Sequence, residues 1–357
     1  MKILFDALAS TRDSGGMRLH STELIAAWVE TFPADEVHVL APRWATHRTF
    51  GRYVFVHRFA SESVVTRFAG QFLGSALVGY LNGVDQVVSL SPIVTPLYPK
   101  ARRSCFQHDW RHKKNPSEFG VLQHIYRRFW AASAKWSSTN FCISEKAMKE
   151  TLAEAPQANA ALAPNGRDHA RRWSVVDSEP LDRVVTFGHH NNKRPELLIR
   201  AFALLAGSGG VDSCELVVLG ARGTYADQLR LLATELGVEQ YLKLPGFVSD
   251  TEYSALISTA SVIALLSSDE GFGLPLAEAE YFGIPSLVAT DSGVAEFFPR
   301  SAVPVDPDPS SVALGIMDAL SREPSRQEAQ AIWRWADTAR SVRSTLVTHA
   351  QGNREKK

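Results

Sequence analysis

Cysteine is scarce in this chain. Three residues in 357, Cys105, Cys142 and Cys214, stand far apart, at no metal-binding spacing and with no even number to pair. That argues against a disulfide framework or a thiolate zinc site, and each cysteine beside an apolar run reads as a buried free thiol of a reducing compartment. An excess of charge is missing as well: Lys plus Arg and Asp plus Glu both number 38, so the balance makes no case for nucleic-acid binding. Long apolar runs are absent. The stretch at 68–81 is too short and too polar to cross a bilayer, and the apolar start is interrupted at Asp6, so no secretory signal is expected and the address is read as cytoplasmic. There is no internal repeat, and no low-complexity segment apart from a charged tail at 353–357.

What is present suits two α/β domains. The length is comfortable for two cores, and an apolar content of 45% is ordinary for a globular chain. Strand-like runs at 3–8, 37–40, 53–56, 86–90, 104–107, 140–144 and 160–163 alternate with helical patterns, among them 18–29. A second series follows at 183–187, 215–219, 242–244, 262–266 and 286–289.

The densest chemistry lies in residues 261–298. An apolar run ends in Ser267-Ser268-Asp269-Glu270, then Gly271-Phe272-Gly273, then Leu274-Pro275 opening a helical pattern that Gly283 closes. Proline in the first helical turn and glycine just past the last are well placed. Ligands of open α/β sheets bind at this position, beyond the carboxyl end of a strand. Glu270 and Glu278 frame the loop with seven residues between them. The N–H groups of Phe272, Gly273 and Leu274 can face an anion at the helix start, and the glycines permit close approach. A phosphate on the amides with hydroxyls on the glutamates would suit a nucleotide sugar. A capped helix with surface glutamates is the plainer alternative. A dinucleotide fingerprint is disfavoured, because Leu276 stands where its third glycine belongs.

With the acidic pair, the Gly-Phe-Gly, the proline and Gly283-Ile284-Pro285, this stretch resembles the signature of family-four retaining glycosyltransferases of the GT-B fold. The resemblance implies an α/β protein of two Rossmann-like domains facing a central cleft. It implies that Glu270 contacts the donor sugar's hydroxyls and Glu278 holds the nucleotide ribose.

Other positions take their reading from the same resemblance. The Gly15-Gly16 loop after the first strand reads by itself as a flexible turn or a phosphate-accepting loop; the resemblance puts Gly16 at the cleft. His108, just past the strand at 104–107, would face the donor sugar, with Asp109 orienting the loop. Pro164-Asn165-Gly166-Arg167-Asp168 resembles the turn that ends the family's first domain. In the turn 188–195 the family carries an arginine and a lysine that grip the diphosphate. Lys193 matches the lysine, but His189 stands for the arginine, and a histidine is only partly charged near neutrality. Either His189 contributes a hydrogen bond or Arg194 replaces the missing charge. Backbone at Phe247 and Val248 would lie near the base, and 291–293 could approach the diphosphate or form a simple turn.

Domain limits read as 1–170, a linker at 171–182, a nucleotide-sugar domain at 183–325 and a terminal helix at 326–357 that returns to the first domain. Nine Lys or Arg from Lys100 to Lys135, against two acids, with Phe129, Trp130 and Trp136 among them, suit either a peripheral contact with an anionic inner-membrane surface or a solvated helix face. Asp306-Pro307-Asp308 reads as a loop and not a metal site. The expected function is transfer of a hexosyl unit from a nucleotide-diphosphate sugar to a glycan or lipid-linked acceptor in cell-surface polysaccharide or glycolipid synthesis. Retention, no catalytic metal and no cofactor are expected. The alternatives are a nucleotide-sugar epimerase or hydrolase of the same fold, and a non-catalytic sugar-nucleotide-binding subunit.

Overall fold

Short runs rich in Val, Ile, Leu and Phe, closed by Asp, Ser or Gly, become strands buried on both faces, as parallel sheets require. The structure, a computed structural model, describes residues 1–12, 15–51, 53–114, 116, 120–173, 181–206, 211, 213–322 and 333–354. The chain divides into two units, Met1–Gly166 with Trp333–Lys357, and Arg167–Ile332.

The first unit holds a seven-stranded sheet of β1 (Lys2–Asp6), β2 (Glu36–Pro42), β3 (Val54–Phe59), β4 (Gln86–Ser89), β5 (Arg103–Gln107), β6 (Asn140–Cys142) and β7 (Ala160–Leu162). Its order is β3-β2-β1-β4-β5-β6-β7, with every neighbouring pair parallel. The order reverses direction between β1 and β4, which makes their carboxyl ends the topological switch point. The strand expected from residue 53 starts at Val54 because Tyr53 takes φ 71, a left-handed value that cannot continue a strand. The strand expected at 140–144 ends at Cys142, and Ser144, whose place before a helical pattern suits an N-cap, caps helix Glu145–Glu154, accepting from Ala147 N–H at 3.1 Å. The helix expected at 18–29 spans Gly15–Thr31, so Gly16 lies in its first turn and not in an open loop.

Helix Trp335–Arg354 belongs to this same unit. Arg343 forks onto Asp35 at 2.8 and 3.0 Å, and Thr338 donates to the Pro164 carbonyl at 2.5 Å. Trp335 is 2% exposed and lies directly against Gly166, where there is no room for a side chain.

The second unit holds β8 (Leu181–Phe187), β9 (Glu215–Leu219), β10 (Leu242–Gly246), β11 (Ala260–Leu265), β12 (Ser286–Ala289) and β13 (Ala302–Val305). The order is β10-β9-β8-β11-β12-β13, again parallel throughout. Strand β13 escaped sequence reading because its run is only Ala-Val-Pro-Val. It tolerates Pro304 because it is an edge strand, where one side needs no N–H donor. Val184, Leu216, Val218 and Val262 meet Leu198, Phe202 and Ile316 in the core. Asp308 caps helix Pro309–Leu320 through the N–H groups of Ser310 and Ser311, at 3.0 and 2.9 Å.

The unit begins at Arg167, ahead of the boundary read at 170 and of the linker read at 171–182. Arg167 is bonded to Glu280 and to the Phe297 carbonyl (2.8 Å) and lies over the Phe298 ring. Residues 169–172 form a short 3-10 helix with His169 buried, and Trp173 packs on Tyr253 and Phe282 at 5.8 and 5.7 Å between ring centroids. Burial of these side chains makes the segment part of the domain. Of the linker, residues 174–180 lie outside the described residues, and β8 already starts at Leu181.

The cations between Lys100 and Lys135 do not share one role. Arg103 is buried in β5 with its guanidinium on the carbonyls of Trp136, Tyr98 and Pro96. Lys113 and Lys114 pair with Glu154 and Glu150, and Arg127 stacks 4.6 Å from the Trp130 ring centroid. All three cysteines are buried thiols, and burial pushes Cys105 up to about 12 and Cys142 and Cys214 to about 11.

Candidate functional site

At the carboxyl edge of the second sheet the loops lie in strand order. The loop after β10 carries Phe247 and Val248, that after β9 carries Arg222, and that after β8 carries His189 to Arg194. The loop after β11 carries Glu270 to Gly273, and that after β12 carries Asp291 and Ser292. Backbone bonds zip them together: Gly188 N–H to Leu219 O at 2.7 Å, Gly220 N–H to Gly246 O at 2.7 Å, Ser268 N–H to Asn192 O at 2.9 Å, and Glu270 N–H to Ser292 O at 3.2 Å. Asn192, absent from the sequence-level candidates, is buried and also donates its side-chain amide to the Asp269 carbonyl at 3.2 Å.

Lys193 is ion-paired with Glu270, the two side chains 11% and 13% exposed. An ammonium has three donors, so Lys193 retains donors for a further acceptor. Arg194, at φ 51, forks onto Asp291 at 3.1 and 2.7 Å. Its charge is therefore matched within the unit by a carboxylate. His189 is exposed on the turn, its Cβ packed on Gly220, and its ring stands 4.9 Å from that of His190.

Gly273 takes φ 85 and ψ 59 at the N-cap of helix Leu274–Phe282, with Pro275 in the first turn and Gly283 at φ 68 after the last. Any side chain at 273 would be strained there. Leu274 opens the helix, so its N–H belongs to the first turn, which has no intrahelical acceptor. Phe272 turns inward, 4% exposed, and meets Phe298 edge-on at 5.7 Å.

Glu278 is 3% exposed, far from the surface glutamate of the plainer reading. Tyr253 donates to its Oε2 at 2.6 Å, and His169 Nε2 lies 2.9 Å from its Oε1. Burial pushes the Tyr253 phenol well above its ordinary value, and the neighbouring carboxylate pushes it further, so the phenol stays a donor. Tyr253, His169 and Trp173 escaped sequence reading. Tyr253 directly follows Glu252, which closes a capping box with Ser249 at the start of helix Asp250–Ser258.

In the first unit, His108 stands just past β5, and its Nε2 lies 2.9 Å from the Leu90 carbonyl. A carbonyl only accepts, so Nε2 carries the proton and Nδ1 is the free base. Burial lowers its pKa, which keeps the ring neutral. Asp109 accepts from Arg111 N–H at 3.1 Å and so orients the loop. A second histidine, His20 on helix Gly15–Thr31, meets His108 edge to face at 4.7 Å and bonds Asn165 Oδ1 through Nδ1 at 2.8 Å. Nothing in the sequence marked it beyond four residues' distance from Gly16.

Two parallel doubly wound units with polar loops at the carboxyl ends of their strands define the GT-B fold, and whole-chain comparison agrees. Sucrose-phosphate synthase from Thermosynechococcus elongatus is similar in fold at a TM-score of 0.76 and 15% identity, over 99% of this chain and 100% of that one. Anabaena HepE, solved with UDP and glucose, is similar at 0.63 and 17% identity, over 100% of this chain and 99% of that one. In sequence, residues 183–332 match the glycosyl transferases group 1 family. A curated relative, GDP-mannose:cellobiosyl-diphosphopolyprenol alpha-mannosyltransferase of Komagataeibacter xylinus, is 29% identical over 157 residues. That match takes in 43% of this chain and 39% of the relative, so the chain spans about two fifths of that protein's length. Among the described residues no helix is long and apolar enough to cross a membrane.

Proposed function

We propose that the protein is a retaining glycosyltransferase that moves a hexosyl unit from a nucleoside-diphosphate sugar to a glycan or lipid-linked acceptor. The observation that carries this reading is the helix start at Gly273, flanked by Glu270 with its Lys193 and by the buried Glu278. Glycosyl transfer must stabilise a departing diphosphate while positive charge grows at the anomeric carbon. Lys193 and the amides at 272–274 supply fixed positive charge to the first, each such donor being worth about 10²–10³ in rate. They make a divalent cation unnecessary at the leaving group. Glu270 orients the sugar and Glu278, steadied by Tyr253 and His169, receives the ribose hydroxyls. The acceptor hydroxyl gives its proton to a donor phosphate oxygen, which keeps attack and departure on one face and retains configuration. The similarity to the Komagataeibacter mannosyltransferase, named for a diphosphopolyprenol acceptor, supports a lipid-linked acceptor and a place in cell-surface glycan synthesis. The names of the relatives divide over the base, GDP in one and UDP in the other.

The test is thermal stabilisation by GDP, UDP, ADP and dTDP on the wild type and on Glu278→Gln. A ligand at about a hundred times its dissociation constant stabilises by ~2.7 kcal/mol. One or more nucleotides should stabilise the wild type and do so less in the variant. No response to any of the four would overturn the reading. Product analysis with donor alone separates the alternatives, since an epimer or rapid hydrolysis without acceptor would replace transferase with epimerase or hydrolase.

A further inference from the structure

The cations along the carboxyl edge of the second sheet differ in one respect. Lys193 is paired with Glu270 and Arg194 with Asp291. The Arg222 guanidinium has no ion pair or hydrogen bond among the described residues. Its guanidinium instead lies over the Phe247 ring, 3.5 Å from the ring centroid. Both residues are exposed, Phe247 at 56%. The contact is built by the backbone. Arg222 is the extended N-cap of helix Gly223–Glu235, and Gly246, at φ 72, turns the chain out of β10. The Gly220–Gly246 bond clamps the two loops side by side.

We infer that Arg222, held flat on Phe247, selects the nucleobase of the donor and favours guanine. This rests on the proposed function, which puts the base beside Phe247 and Val248. A guanidinium only donates, in a planar fork. Guanine offers two adjacent acceptors, O6 and N7, which match a fork. Adenine sets an N–H donor beside its N7, and uracil has no comparable pair on one edge. Stacking on an aromatic face fixes the plane of the fork before the base arrives, so less freedom is lost on binding. A rival role for Arg222, gripping the diphosphate in place of the arginine missing at His189, fits less well. The contact with Phe247 draws the side chain towards β10, whereas the diphosphate turn belongs to β8, on the other side of β9.

The experiment is calorimetric titration of GDP, UDP and ADP into the wild type, Arg222→Gln and Phe247→Leu. Both substitutions are on exposed positions, and circular dichroism checks their folding. The wild type should prefer GDP by roughly 5- to 150-fold, the range of one bidentate base contact. Arg222→Gln should remove the preference while UDP and ADP bind as before, and Phe247→Leu should reduce it. If the wild type binds none of the three and does not bind dTDP, the proposed function fails and the inference with it; binding of dTDP alone leaves the site reading standing and overturns the role of Arg222. If it binds the three alike, or prefers UDP or ADP, the site reading stands and the role of Arg222 is overturned. Equal weakening of all three nucleotides by Arg222→Gln would also overturn it, in favour of a diphosphate contact.

Discussion

Lys193 and Glu270 form an ion pair across 77 residues of sequence, with both side chains nearly buried. The two charges compensate each other, so removing one leaves its partner less well matched in a poorly solvated place. Lys193→Met should lower folding stability by about 2–3 kcal/mol, below the range for a fully buried pair. The double variant Lys193→Met/Glu270→Leu should recover part of that loss. Denaturant midpoints read both. In turnover of the donor, each single variant should lose about 10²–10³ in kcat/KM, and the double should lose less than the product of the two.

Tyr253 and Glu278 allow a second test. Tyr253→Phe deletes a donor to a buried carboxylate, which should cost about 1–3 kcal/mol in stability and weaken nucleotide binding through a looser Glu278. In the wild type, alkaline titration followed by tyrosinate absorbance should show an amplitude that appears only with unfolding, and Tyr253→Phe should reduce it by one tyrosine, since Tyr225 and Tyr126, also raised, keep theirs.

Two buried groups of the first unit should give opposite pH slopes. Burial raises Asp6 from 3.8 to about 6, only partly offset by the Ser75 hydroxyl and the Leu8 N–H. Its folded pKa lies above the unfolded one, so the stability it contributes is complete below about pH 4 and is lost as pH rises through about 6. Asp6→Asn should flatten that slope, worth on the order of 3 kcal/mol. Burial, and then the nearness of His108, hold His20 well below 6.5. Its folded form stays neutral where the unfolded chain takes up a proton, so its contribution is present above pH 6.5 and lost as pH falls below it. His20→Gln should remove that acid loss. Stability against pH for the wild type and each variant separates the two.

Gly166→Ala should loosen helix Trp335–Arg354. A Cβ at 166 would collide with the backbone nitrogen of Trp335 as well as its ring, so something must move. Trp335→Ala should not rescue the variant, because the backbone clash remains. Limited proteolysis near the carboxyl terminus and the melting temperature report the outcome.

Much of the candidate site was legible because it is written in short windows. The left-handed Gly273 and Gly283, Pro275 in the first turn and the Glu270–Glu278 spacing are local constraints, and each declares itself within a few residues. The caps at Ser144 and Ser249 are legible in the same way, through a polar residue followed by a helical pattern. Strand β13 was missed because a four-residue run with a proline carries little strand signal without knowing that it lies at an edge.

By itself, then, the sequence determined the alternation of strands and helices, the conformations of the glycine-bearing turns and the residue types gathered at the carboxyl ends of the strands. Only the tertiary structure decided which of them are partners. Lys193, to which the resemblance gave the diphosphate, is paired with Glu270, and Arg194, the candidate replacement for a missing cation, is matched by Asp291. Glu278 is buried by a histidine 109 residues away and a tyrosine 25 away, and the Arg222–Phe247 stack joins two loops with no common motif. The physical reason is that parallel strands need long crossovers, which carry neighbouring carboxyl ends far apart in sequence. Turn chemistry is set by residues within one turn, whereas pairing across the edge of a parallel sheet follows from strand order, which no local period records.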